Sequence, residues 1–136
     1  MPIVIQEHGQ LRFLDAICEG LVMFVFPYSN DRIPKATDAI GLYTEADFSG
    51  YSGPQPLDSW NASEFSQSRA VSRHPPMTWT QNGGPIDNLI FGVCVVDEDF
   101  ALLFAERDPR APVIVRPSAP YYVWQPELSL TSEYGG

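Results

Sequence analysis

Apolar residues in this chain come in short runs broken by proline, glycine and small polar residues. One window departs from that pattern. Between Gln10 and Glu19, Leu11, Leu14, Ala16 or Ile17, and Cys18 recur at helical spacing, and Gly20 follows as a stop. The spacing predicts one short helix with a narrow apolar face, which must lie along the domain's own sheet or a neighbouring subunit. After Gly20 no window sustains a helical period. Thirteen prolines and ten glycines punctuate the chain, and a proline neither donates to a ladder nor fits inside a helix. The runs therefore read as strands, over 21–26, 70–74, 77–81, 89–96, 100–106, 113–116, 121–124 and 128–131.

The clearest hairpin joins 89–96 to 100–106 through Asp97, Glu98 and Asp99. Both arms are almost continuously apolar, so both are expected to be covered on two faces. In Met77-Thr78-Trp79-Thr80-Gln81 the alternation turns Met77 and Trp79 inward, and Gln81-Asn82-Gly83-Gly84-Pro85 then makes a turn. Thr44, with Asp47 three residues on, predicts a single capped helical turn, after which Phe48 and Tyr51 anchor a long connection to the core. Residues 61–68 are polar and read as an exposed loop. Many short strands, one peripheral helix and no β-α-β alternation predict an all-β, antiparallel, jelly-roll-like β-sandwich. Residues 1–20 form an N-terminal arm and short helix, and 21–136 a single sandwich domain. A second independent core is not expected at 136 residues.

Charge narrows the function classes. Seventeen acidic against eight basic residues leave a net charge of -9, and Lys35 is the only lysine. Phosphate-backbone binding draws on clustered cations, so direct contact with nucleic acid or an anionic membrane is not expected. The start of the chain lacks the basic and apolar regions of a signal peptide, and no stretch is long and apolar enough to span a bilayer. A soluble, non-secreted chain is the expectation. Hydrophobic residues make 44% of the sequence, enough for a core without disulfides or metal. Cys18 and Cys94 form no disulfide framework, and Cys94 sits in an apolar run as a buried thiol would.

No constellation selects a catalyst. His74 precedes Pro75-Pro76 with no nucleophile motif beside it, and nothing in the spacing singles out a triad with Asp97 and a serine. Asp97, Glu98 and Asp99 do not match the alternating ligands of a calcium loop and read as a solvated hairpin tip. The two histidines, His8 and His74, have no metal spacing. No catalytic, metal or cofactor site is expected, and the chain is read as a non-enzyme. Trp60, Trp79 and Trp124, with Tyr121 and Tyr122, suit either a sugar-binding platform or a sandwich core and interface. Between Pro117 and Pro126 two tyrosines and Trp124 are bracketed by prolines. That segment suits a rigid contact surface or a core strand equally.

The order of these pieces resembles a family of small structural proteins of tailed bacteriophages. The resemblance runs over nearly the whole chain. It is carried by the N-terminal helix ending at Gly20, the motif Thr44-Glu45-Ala46-Asp47-Phe48-Ser49-Gly50-Tyr51, and Arg69-Ala70-Val71-Ser72. Met77-Thr78-Trp79-Thr80, the strand Asn88 to Val95, the hairpin ending Ala105-Glu106-Arg107 and Val113-Ile114-Val115 complete it. The resemblance implies a virion protein, a capsid decoration or cement protein on the outer surface of the head, made in the host cytoplasm. It would bridge neighbouring major capsid subunits and act as a homo-oligomer, a dimer or trimer. The contact residues expected on that reading are Pro2, Ile3, Ile5, Trp60, Tyr121, Tyr122 and Trp124. The alternative is a tail, baseplate or fibre-associated module, of which a lectin-like version would bind glycan through exposed tryptophans such as Trp60 or Trp124.

Overall fold

Residues 3–82, 87–131 and 133–134 are described by the computed structural model. In chain order its elements are β1 (Ile3–Val4), α1 (Glu7–Gly20), β2 (Phe24–Tyr28), a 3-10 turn (Ile40–Leu42), β3 (Gln55–Pro56), β4 (Glu64–Ser66), β5 (Arg69–Arg73) and β6 (Met77–Thr80). There follow β7 (Asn88–Ile90), β8 (Gly92–Val96), β9 (Leu102–Arg107), β10 (Val113–Val115), β11 (Tyr121–Trp124), β12 (Glu127–Leu130) and β13 (Glu133–Tyr134). The protein is mostly β with one α-helix among the described residues, and its strand pairings are antiparallel. The sheets do not close on themselves.

Contacts group the chain into two units. The first comprises 1–21, 58–76 and 125–136; the second comprises 22–57 and 77–124. In the first, α1 lies along the sheet β12-β5-β4, and β1 pairs with β13. Leu14, Cys18 and Ala70 form its buried centre, lined by Leu11, Trp60, Leu128 and Leu130. The helix begins earlier than the apolar spacing predicts, at Glu7, because the Gln10 side chain donates from Nε2 to the Ile5 carbonyl at 2.9 Å and stabilises the first turn. Gly20 belongs to the helix, which stops at the extended Leu21. Asp15 accepts the Ser63 N–H at 2.8 Å, and Ser63 donates to the Leu11 carbonyl at 3.0 Å, so residues 61–63 are tied to the helix. The polar stretch 61–68 is not wholly loop: Glu64–Ser66 becomes the edge strand β4 through its ladder to β5, and Glu64 forms an exposed ion pair with Arg73.

The second unit carries the sheet β3-β2-β8-β9 and the ladders β6-β11 and β7-β10. The apolar run 89–96 breaks at Phe91 into two strands of different sheets. Phe91 N–H bonds the Tyr28 carbonyl at 2.9 Å, and Asp108 N–H bonds the Phe91 carbonyl at 2.9 Å. Gly92 makes the change of partner feasible, since a Cβ there would sit 2.1 Å from the Glu106 carbonyl oxygen and 2.7 Å from the Tyr28 ring. β8 is buried along its whole length, as its composition predicts. β9 is not, because it is the outer strand of its sheet and alternate residues such as Leu103 face solvent. Phe26, Tyr28, Tyr43, Phe91, Cys94 and Val96 form an apolar cluster in this unit. The helical turn expected at Thr44 is absent; Glu45 instead bridges to Tyr28, and the turn lies earlier, at Ile40–Leu42. Phe48 and Tyr51 do meet edge to face, at 5.3 Å, and the Tyr51 hydroxyl donates to Glu45. Of the expected 81–85 turn, Gly83, Gly84 and Pro85 lie outside the described residues.

Candidate interaction surface

The β6-β11 ladder sorts its residues by parity. Trp124 faces Met77 in register, Tyr122 faces Trp79, Val123 faces Thr78 and Tyr121 faces Thr80. Met77, Trp79, Tyr122 and Trp124 are buried, whereas Tyr121 and Val123 are exposed by 61% and 47%, with Thr78 and Thr80 beside them. The outer face is thus an uncharged patch of one large ring, one valine and two threonines. The Trp79 indole N–H reaches the Gly53 carbonyl at 3.1 Å, and Gln81 N–H bonds the Pro120 carbonyl at 2.8 Å, which continues the ladder beyond Thr80.

Beneath the patch Tyr122 is held by charge. Its hydroxyl donates to Asp108 Oδ2 at 2.9 Å, and the same carboxylate takes Arg110 through Nε at 3.2 Å, a guanidinium nitrogen at 3.1 Å and the backbone N–H at 2.9 Å. Burial works to raise the Asp108 pKa, but the Arg110 and Tyr122 bonds outweigh it and leave the carboxyl below its ordinary value. Burial first, then the Asp108 charge, holds the Tyr122 hydroxyl far above the ordinary range of a phenol.

A second knot organises the 30–45 loop. Asp38 pairs with the Arg32 guanidinium and accepts the Lys35 N–H at 3.1 Å and the Tyr43 hydroxyl at 2.7 Å. The Arg32 bond, with Tyr43 and Lys35 adding to it, holds the Asp38 carboxyl well below the usual carboxylate range. A groove of about 270 Å³ runs beside this loop, lined by Pro34, Lys35, Asp38, Tyr43 and the outer strand β9. Neither carboxylate is poised as a base, because each already accepts several hydrogen bonds.

His74 is equally committed. The Ser59 N–H donates to Nε2 at 2.9 Å, which leaves the ring proton on Nδ1, where it is shared with the Pro75 carbonyl at 2.9 Å. Asp97 Oδ1 accepts the N–H groups of Asp99 and Ala101, both at 2.9 Å, so it shapes the hairpin tip. Among the described residues no group of three or more His, Cys, Asp or Glu is placed to hold a metal ion, and no helix is long and apolar enough to cross a membrane.

The expected contact residues fall into both units. In the first, Ile3 is exposed, Ile5 half-buried, and Trp60 half-buried edge-on to the His74 ring at 5.3 Å, with its Nε1 buried and lacking a hydrogen-bond partner. Pro2 lies outside the described residues. In the second, Tyr121 is on the outer face of β11 and Tyr122 and Trp124 on its buried face. Sequence reading passed over the Asp108-Arg110 and Asp38-Arg32 pairs, for which short sequence separation between opposite charges was the available signal. It also passed over an outer face on α1, where Phe13 and Ile17 are exposed, one turn apart and off the buried row of Gln10, Leu14 and Cys18. Comparison of the chain with protein-family models, with curated proteins and with solved structures finds no match.

Proposed function

We propose that this chain is a virion structural protein, a capsid decoration protein of a tailed bacteriophage that binds the outer surface of the head and bridges neighbouring major capsid subunits. On this reading the strands stack as a jelly-roll-like sandwich, and the protein acts as a dimer or trimer. The observation that carries the reading is the outer face of β6-β11: Tyr121 and Val123 stand exposed on a ladder whose other face is anchored by Trp79 and Tyr122. A rigid, uncharged patch with one aromatic ring gives contact area at small entropic cost. The resemblance of the chain's motifs to small phage structural proteins supplies the identity of the partner. Packaged DNA presses capsid subunits apart, and a binder that contacts more than one subunit opposes their separation through multivalency. A net charge of -9 suits the outside of a shell better than its DNA-filled interior.

The test is binding of the purified chain to expanded heads stripped of their outer proteins. The expected result is saturable binding at a fixed ratio to the major capsid protein, weakened at least about tenfold by Tyr121→Ser. Absence of saturable binding overturns the proposal.

A further inference from the structure

The helix α1 has two apolar faces, and the first unit of the chain uses only one. Gln10, Leu14 and Cys18 are buried. Ala16 and Ile17 stand three and four residues after Phe13, and Gly20 stands four and three residues after them, the steps that align positions along one side of a helix, and all four are exposed. Phe13 is 55% exposed, and a side chain built at Gly20 would meet nothing within 4 Å. The row has the a/d pattern of a helix-pairing seam, with Phe13 and Gly20 one heptad apart and Ala16 between them.

Arg12 and Glu19 decide the occupant. They too stand one heptad apart, each immediately before a seam residue and therefore on the same flank. Both are exposed, and neither forms an ion pair among the described residues. When two copies of such a helix pack antiparallel about a two-fold axis, the same flanks meet. The Arg12 of each copy then approaches the Glu19 of the other, and the pair forms twice. A parallel arrangement brings no such match, because like positions then lie level with one another. The flank is complementary to itself only in the reversed direction.

We infer that the outer face of α1, built on Phe13, Ala16, Ile17 and Gly20, docks a second copy of this chain antiparallel, with Arg12 against the second copy's Glu19. For its use on a shell this rests on the multivalent reading above; as an interface it stands on the helix alone. The seam is short, so association is weak in free solution and depends on concentration.

Sedimentation equilibrium of the full chain tests it. The expected result is a mass that climbs with concentration from 15.2 kDa toward twice that value. Phe13→Glu abolishes the climb while the circular dichroism spectrum and unfolding midpoint stay unchanged, as suits an exposed position. Arg12→Glu alone and Glu19→Arg alone each weaken association several-fold to about tenfold, and the double reversal restores it. A chain that stays monomeric, a trimer, association untouched by Phe13→Glu, or a double reversal as weak as either single change overturns the inference. None of these outcomes needs a capsid, so failure here is separable from failure to bind heads.

Discussion

The Tyr122 hydroxyl donates to Asp108 Oδ2 at 2.9 Å from a ring that is itself buried, and Arg110 occupies the rest of the same carboxylate. A carboxylate out of water needs all its donors, and here a tyrosine fourteen residues away supplies one of them.

Tyr122→Phe therefore removes a donor from a buried charge and is expected to destabilise the fold by about 1.5–3 kcal/mol, measured by urea unfolding near neutral pH. Asp108 and Asp38 both have folded pKa values below the ordinary carboxyl value. The unfolded chain then binds more protons than the folded one as the solution is acidified. The contribution of these two carboxylates to stability is fully present above about pH 4 and falls as pH drops toward the lower folded values. In Tyr122→Phe the Asp108 pKa returns toward normal, so wild type and variant converge in acid. Parallel unfolding curves at every pH would contradict this account.

Gly92 and Gly20 make a matched pair for backbone crowding. At Gly92 a methyl group meets the Glu106 carbonyl and the Tyr28 ring, so Gly92→Ala is expected to destabilise by about 3 kcal/mol. Gly20→Ala meets no atom and reduces backbone freedom within a helix, which is expected to add about 0.5 kcal/mol. Thermal midpoints of the two variants should move in opposite directions.

Both thiols are buried, and burial pushes Cys94 up to about 12 and raises Cys18 as well. Neither should react with a disulfide reagent in the native protein at neutral pH, and both should react at once in denaturant. Fast labelling of Cys94 without unfolding would show that its strand opens more easily than its burial suggests.

The parity of β11 can be read directly by stability. Tyr121→Ala and Val123→Ala are expected to change it by no more than about 0.5 kcal/mol, whereas Trp124→Ala removes a buried ring and costs about 3–5 kcal/mol. His74→Ala in the first unit is expected to cost about 2–3 kcal/mol, because it strips partners from the Ser59 N–H and the Pro75 carbonyl. A chemical-denaturation series over these variants separates the contact face from the core.

Much of the strand content was legible in the sequence. The alternation of Met77 and Trp79 and the helix around Leu14 and Cys18 follow from period alone, because burying one face imposes that period on the residues, while the extent of 121–124 was marked by the prolines that bracket it. Edges were less legible. β4 lies in a polar stretch since an edge strand exposes side chains on both faces, and what holds it is its backbone ladder to β5, the next strand along the chain. The candidate surface was half legible: prolines and aromatics marked 117–126, but both the exposed Tyr121 and the buried Tyr122 fit that composition.

What the chain's pattern determined by itself is local: an N-terminal helix, short antiparallel strands, a buried thiol at Cys94 and a preponderance of negative charge. Tertiary structure alone decided that the apolar run breaks at Phe91, that β9 is an outer strand, and that Asp108 belongs to Tyr122 and Asp38 to Tyr43. Those outcomes depend on which distant segments arrive alongside, and periodicity records how a residue faces its own strand or helix but not what comes to meet it.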